Sequence, residues 1–305
     1  MLTDDVARYV ALHCSLGYHF RVQAGLLGLY ARFAEDRGEA DIRAATALLW
    51  AGEAPSPAQR RNRLLTLRRF ALAMQAEDPR HEVPPADAFG RPVIERHFPH
   101  IYAREEVARL LRAAAGLAPA GGVRPILYTT LFGLLAASGL RISEALALLL
   151  EDLTSDGLLV RETKFRKSRL VPLHASTERA LRRYLAARRR HRVAGPYLFA
   201  ASSGARLPYD TVSAIFRRLA RAVGLRGAPG TGGPRIHDLR HTFAVRSLEA
   251  CAGADRAAIA RHMLALGTYL GHAHVADTQW YLHATPTLMM QIAEAGEICF
   301  RGDVP

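Results

Sequence analysis

The sequence predicts a mainly α-helical protein with one small antiparallel β-hairpin or sheet, divided into two parts of unequal size. Three observations predict it. Apolar residues recur at helical spacing through residues 3–77. A stretch at 78–100 with Pro79, Pro84, Pro85, Pro92 and Pro99 interrupts that pattern. Beyond it helical spacing resumes, broken once by a period of two around residues 157–173. The expected divisions are a helical part at 1–82, an extended linker at 83–100, and a larger part at 101–305 that ends in a tail helix.

The first part reads as four helices, Thr3–Leu16, Arg21–Arg37, Ala40–Trp50 and Ser56–Gln75. The second carries its apolar stripe through Leu26, Leu27, Leu29, Tyr30 and Phe33. In the fourth, Ser56 is placed to cap the helix and Pro57 to occupy its first turn, where a missing N–H costs nothing. Arg60, Arg61, Arg63, Arg68 and Arg69 then load its polar side. In the larger part, Ala103–Ala115 and Ile126–Ala137 read as apolar helices, followed by the break "SGLRISEALALL". Two strands are expected at Gly157–Glu162 and Ser168–Leu173, joined by "TKFRK". Helices follow at Thr177–His191 and Tyr209–Val223. The glycine-rich loop at 226–235 lacks the terminal Gly-Lys-Ser/Thr of a phosphate-binding loop. "RIHDLRHTFAVRSLEA" starts another helix, "YLGHAHVADTQWYLHAT" ends one at Gly271 and starts a short one carrying Tyr281, and 285–300 shows a last stripe through Leu288, Met289, Ile292 and Ile298.

Charge narrows the partner. With 41 Lys+Arg against 28 Asp+Glu the chain carries +13, and its pI is near 10.3. That balance favours a polyanion, nucleic acid before a membrane surface. No uninterrupted apolar run reaches the length of a bilayer span, and the amino terminus does not read as a secretion signal, so a cytoplasmic protein is expected. Cys14, Cys251 and Cys299 are scattered thiols without CxxC spacing, expected as small buried fillers rather than as disulfides or zinc ligands.

Lys164 and Lys167, both in "RETKFRKSR", are the chain's two lysines; the remaining basic residues are arginine. A guanidinium stays protonated at any ordinary pH, whereas an ammonium can be tuned to release its proton. Lysine at these two positions therefore marks a candidate proton donor. Elsewhere, His237 and Arg240 are three apart at the start of a helix, where free backbone N–H groups already favour an anion. His237 and His241 have the spacing of helical zinc ligands, yet the residue after His237 is Asp238 rather than the glutamate such sites use. No metal and no cofactor is expected.

Taken in order, Arg141 in "SGLRISE", Lys164, His237-x-x-Arg240, His272 in "LGH" and Tyr281 resemble the tyrosine recombinase (phage integrase) family, of a simple-site type without an arm-binding domain. The resemblance covers about residues 101–285 well and the four-helix part more loosely, as a helical core DNA-binding domain. It implies that Tyr281 attacks a DNA phosphate, while Arg141 and Arg240 clamp its non-bridging oxygens and His272 adds a hydrogen bond. It implies His237 as acceptor or relay of the tyrosine proton and Glu144 as support for the first arginine or a histidine. Lys164 becomes the general acid for the leaving 5′ oxygen, with Lys167 as the alternative donor or a backbone-phosphate contact. Arg60, Arg61, Arg63, Arg68, Arg69, Lys167 and Arg169 are the expected DNA contacts.

The implied partners are double-stranded DNA and further copies of the chain, four around two DNA sites, with the tail docked either on a neighbouring protomer or on its own domain. Accessory recombinases are compatible with the same pattern, and a mobile genetic element is the expected setting. Two other readings share these residues: a type IB topoisomerase-like DNA-relaxing enzyme, and a DNA-binding accessory protein without activity. Formation of a covalent adduct separates the last from the others.

Overall fold

The computed structural model describes residues 1–90, 98–161, 168–251, 256–271 and 281. The chain divides into two units, Met1–His97 and Phe98–Pro305.

The first unit is helical, as expected: α1 (Leu2–Ser15), α2 (Arg21–Glu35), α3 (Ala44–Gly52) and α4 (Pro57–Glu77). The face that α2 buries is Leu27, Tyr30, Ala31 and Ala34, one step round from the expected stripe, so that Leu29 points to solvent. These side chains pack against Trp50 of α3 and Leu64, Leu67 and Phe70 of α4. At the start of α4 the Ser56 hydroxyl accepts a hydrogen bond from the Gln59 N–H at 3.3 Å, and Pro57 fills the first turn. A cap of this kind contributes about 1 kcal/mol. α3 begins four residues later than the sequence predicts because Ile42 is held in a crossing with the chain beyond α4: its N–H donates to His81 Nδ1 and its carbonyl accepts from Glu82 N–H. The Glu82 carboxylate then accepts the free Ala44 N–H at the start of α3, where an acid also suits the helix dipole.

Two expectations are revised here. The segment from residue 83, read as extended linker, adheres to this unit as far as Gly90: Val83 and Phe89 pack on its core, and the Pro84 and Gly90 carbonyls accept from Arg68 and Arg61. The basic face of α4 is largely spent on its own unit as well. Arg60 donates to the Ala54 carbonyl, and Arg63 to the Trp50 carbonyl while lying over the Trp50 ring. Of the five arginines only Arg69 is exposed. Each of the other four guanidinium groups keeps further N–H donors, but its position is set by the fold.

The second unit packs α5 (Arg104–Ala115), α6 (Val123–Ser138), α8 (Ala175–Arg190) and α9 (Tyr209–Ala222) around a core that includes Leu131, Phe132, Tyr184, Phe199 and Phe216. Short α7 (Ile142–Ala147) follows α6, and α10 (Asp238–Glu249) and α11 (Arg256–Leu270) are its further helices among the described residues. Its sheet has three antiparallel strands, β1 (Leu153–Thr154), β2 (Gly157–Val160) and β3 (Arg169–Val171), in that order. β1 has two residues, too short to show a period. At Gly157, φ is +138° and a Cβ would sit 2.3 Å from the Val171 carbonyl oxygen, so only glycine permits this strand pairing. Val160 faces Arg169 and Leu158 faces Val171 across β2 and β3. The stretch "TKFRK", with Lys164 and Lys167, lies outside the described residues. The expectation of buried cysteine fillers fails where it can be examined: Cys14 is exposed and Cys251 half-buried, and Cys299 lies outside the described residues. Among the described residues no helix is long and apolar enough to cross a membrane.

Candidate active site

α6 ends at Gly139, whose φ of +60° turns the chain sharply into α7. A Cβ there would lie 2.5 Å from the Phe243 ring of α10 and 3.1 Å from the Leu270 side chain of α11. Glycine thus lets the turn between α6 and α7 press against both later helices. Arg141 follows immediately as the N-cap residue of α7. Its backbone N–H donates to Glu144 Oε2 at 2.9 Å and its guanidinium to Glu144 Oε1 at 2.8 Å, so one acid fixes both the helix start and the side chain.

α10 starts at the other motif. His237 is its N-cap residue, and the buried Asp238 carboxylate accepts from Arg235 N–H and the Arg235 guanidinium. The Thr242 hydroxyl donates to the Asp238 carbonyl and accepts from Tyr102 N–H, which ties the helix to the start of the unit. Arg240 points inward and is 2% exposed. It donates to the Gly139 carbonyl at 2.7 Å and to the Leu270 carbonyl at 2.8 Å. The Tyr281 phenol is close enough for its charge to act on it.

The carboxyl end of α11 is where the arginines meet. Arg169 donates to the Tyr269 carbonyl at 2.7 Å, Arg240 to Leu270 and Arg141 to Gly271 at 3.4 Å. Three cations on three successive carbonyls is the arrangement that the negative end of a helix stabilises. Residues 139–144, 169, 240, 270–271 and 281 are thus drawn to one place. Tyr281 is 3% exposed, its ring packed with Ala244, Val245, Leu248, Leu266 and Leu270. The His241 ring lies 5.4 Å from the Tyr281 ring between centroids. The His237 and His241 rings stand perpendicular at 4.7 Å.

The electrostatics follow from this crowding. Burial, with Arg141 close by, lowers Arg240 to about 10, still well above neutrality, so the group stays charged. Burial would raise Glu144, but the hydrogen bonds and charge of Arg169, and the bonds from Arg141, outweigh it and hold the carboxylate below its usual range. His237 reaches solvent on one side; the protein packed around the rest of its ring and the Arg240 charge lower its pKa below that of an ordinary histidine. Deeper in, burial and the His237 neighbour lower His241 to about 4. Both imidazoles are therefore neutral at pH 7.

Of the residues selected from sequence, Arg141, Glu144, Arg240 and Tyr281 are brought together, and His237 stands at the edge of the group. Lys164 and His272 lie outside the described residues, as does the expected tail helix at 285–300. Arg169, expected as a DNA contact, is not at the surface: its side chain is 11% exposed and its guanidinium forks onto the Glu144 carboxylate at 2.8 and 3.1 Å. The strand explains the correction. With a period of two, Arg169 shares the face of the fully buried Val171 while Leu170 points out. That alternation was the signal available in the sequence.

Comparison with known proteins points to one family. The model of the phage integrase family matches residues 102–287. "Putative integrase/recombinase y4rB" of Sinorhizobium fredii is 42% identical over 299 residues, covering 94% of either chain. Tyrosine recombinase XerD of Caulobacter vibrioides is 35% identical over 246 residues, 78% of this chain and 73% of its own. Among solved structures, a lambda integrase tetramer bound to a Holliday junction superimposes with a TM-score of 0.60 at 18% identity, covering 89% of this chain and 77% of that one, a likeness of fold. A family match that spans Arg141, Arg240 and Tyr281, joined by a relative similar almost end to end, makes this chain a member of the phage integrase family of tyrosine recombinases.

Proposed function

We propose that this site-specific recombinase cuts and rejoins DNA through a 3′-phosphotyrosyl intermediate formed on Tyr281. The observation that carries the reading is the convergence of Tyr281, packed in one cluster with Leu270, with the Arg240 guanidinium on the Leu270 carbonyl and Arg141 on the next carbonyl. A DNA phosphodiester repels nucleophiles by its charge, and its 5′ alkoxide is a poor leaving group. The two arginines address the first obstacle, each able to bind a non-bridging oxygen and to offset the charge of the five-coordinate transition state. The Tyr281 oxygen attacks phosphorus, the bond to the 5′ oxygen breaks, and the tyrosine proton passes to neutral His237. A proton from Lys164 completes the 5′ hydroxyl. A 5′ hydroxyl from a second strand then reverses these steps on the phosphotyrosine, so no external energy source enters the scheme.

Double-stranded DNA is the partner, with several copies of the chain acting on paired sites, in the cytoplasm and in the service of a mobile element. The basic composition supports the DNA partner, the solved lambda integrase tetramer on a Holliday junction supports several copies, and a solved transposon integrase of like fold supports the mobile element. Affinity will come mainly from phosphate contacts and fall steeply with salt.

The general acid is tested by Lys164→Arg. Cleavage of ordinary DNA drops by roughly 10²–10⁴, the usual contribution of a positioned acid, and recovers when the bridging 5′ oxygen is replaced by sulfur, because a thiolate leaves unprotonated. A variant that stays slow on the thio substrate moves the role to Lys167. The proton acceptor is tested by pH. Only a neutral imidazole accepts a proton, and His237 is lowered from 6.5, so the acid limb of single-turnover adduct formation lies below pH 6.5 and is lost in His237→Gln. An acid limb above 6.5 that survives in His237→Gln excludes this histidine as the base.

A further inference from the structure

We infer that Arg169 is a positioning residue for catalysis: by binding Glu144 from behind it keeps the positive charge of Arg141 available to the DNA phosphate. The inference rests on the recombinase reading above and deepens it.

The argument begins with the count of charge around one carboxylate. Glu144 is 7% exposed at its side chain and faces two guanidinium groups. Arg141 reaches it with a single side-chain N–H, to Oε1, and with its backbone N–H, to Oε2. Arg169 supplies the two-pronged contact, Nη1 to Oε1 and Nη2 to Oε2. A parallel fork of this kind is the strongest guanidinium–carboxylate geometry. The three side chains together carry a net charge of +1. Were Arg169 uncharged, Glu144 and Arg141 would form a neutral buried pair, and Arg141 would have to abandon its acid to meet a phosphate, which leaves a buried carboxylate unpaired. Arg169 removes that conflict.

The surroundings fit a fixed brace rather than a mobile ligand-binding arm. Arg169 Nε is anchored on the Tyr269 carbonyl, and β3 holds the residue opposite Val160 on its buried face. Gly271, at φ +69°, leaves room for it: a Cβ there would lie 2.8 Å from Arg169 Nη1. The end of α11, which also receives Arg141 and Arg240, is thereby set by the same guanidinium that holds Glu144.

The test compares Arg169→Met and Arg169→Lys with wild type, Arg141→Ala and Tyr281→Phe on two substrates. One is ordinary nicked DNA. The other carries a methylphosphonate at the cleaved position, an uncharged group that asks less of a cation. Arg169→Met is expected to cleave ordinary DNA about 10–100-fold more slowly at saturating DNA, with its DNA dissociation constant and salt slope unchanged. On methylphosphonate the defect shrinks to about threefold or less, as it does for Arg141→Ala. Arg169→Lys, which keeps the charge and loses the fork, falls between, and it carries the comparison if the methionine variant does not fold. Equal slowing on both substrates would reduce Arg169 to a structural role, and a changed salt slope would return it to the DNA surface; either result overturns the inference, as does wild-type speed in both variants. If wild type itself forms no Tyr281-dependent adduct, the recombinase reading fails instead, and the two failures are told apart.

Discussion

Tyr281→Phe is expected to abolish covalent adduct formation on nicked DNA while leaving DNA binding intact. The substitution removes one oxygen and keeps the ring. Because that ring is packed with Ala244, Val245, Leu248, Leu266 and Leu270, phenylalanine retains the burial. What the fold loses is at most one hydrogen bond of the hydroxyl, a contribution to stability of about 1 kcal/mol. What the chemistry loses is the nucleophile, and removal of a nucleophile costs on the order of 10⁶ in rate. The two effects differ so widely that a melting curve and an adduct assay on the same preparation separate them. An adduct trapped in the phenylalanine variant would mean that another residue attacks, and the assignment of the site would fall with it.

Arg240→Ala is expected to be nearly as damaging to cleavage and far more damaging to the fold. The guanidinium is committed to the Gly139 and Leu270 carbonyls, two points 131 residues apart in the chain. Each buried carbonyl left without its donor costs about 1–3 kcal/mol, and the glycine turn and the end of α11 lose their common tie. On the reaction side, one donor to a developing oxyanion is worth roughly 10²–10³ in rate. Arg240→Lys keeps a donor at the site, but a single ammonium lacks the rigid fork that fits both carbonyls. The lysine variant should therefore fold better than alanine and still cleave at least ~10²-fold more slowly than wild type. Single-turnover cleavage within tenfold of wild type in either variant would remove Arg240 from the phosphate clamp.

Much of this protein could be read before its structure. Four helices at the amino-terminal end, the pair of strands around residues 157–173 and the helix behind His237 all follow from spacing, with ends shifted by a few residues. The shifts have local causes: α3 starts late because residues 81–82 take the hydrogen bonds of Ile42 that a further turn would have used. Arg141, His237, Arg240 and Tyr281 were likewise selected from residue type and motif. The roles of the other arginines were not legible in the same way. Arg60, Arg61, Arg63 and Arg68 look like a ligand-binding face on a helical wheel, yet they bind carbonyls of their own unit. Arg169 looks like a surface cation beside two lysines, yet it is half-buried and forks onto Glu144.

The sequence by itself determined which segments are helix or strand and which side chains have the chemistry to cut a phosphodiester, because periodicity and residue type are local properties. Only the tertiary structure decided which guanidinium groups gather at the end of α11 and which one forks onto Glu144. That choice depends on carbonyls and carboxylates 25 to 130 residues distant, and a cation binds whichever acceptors folding delivers to it.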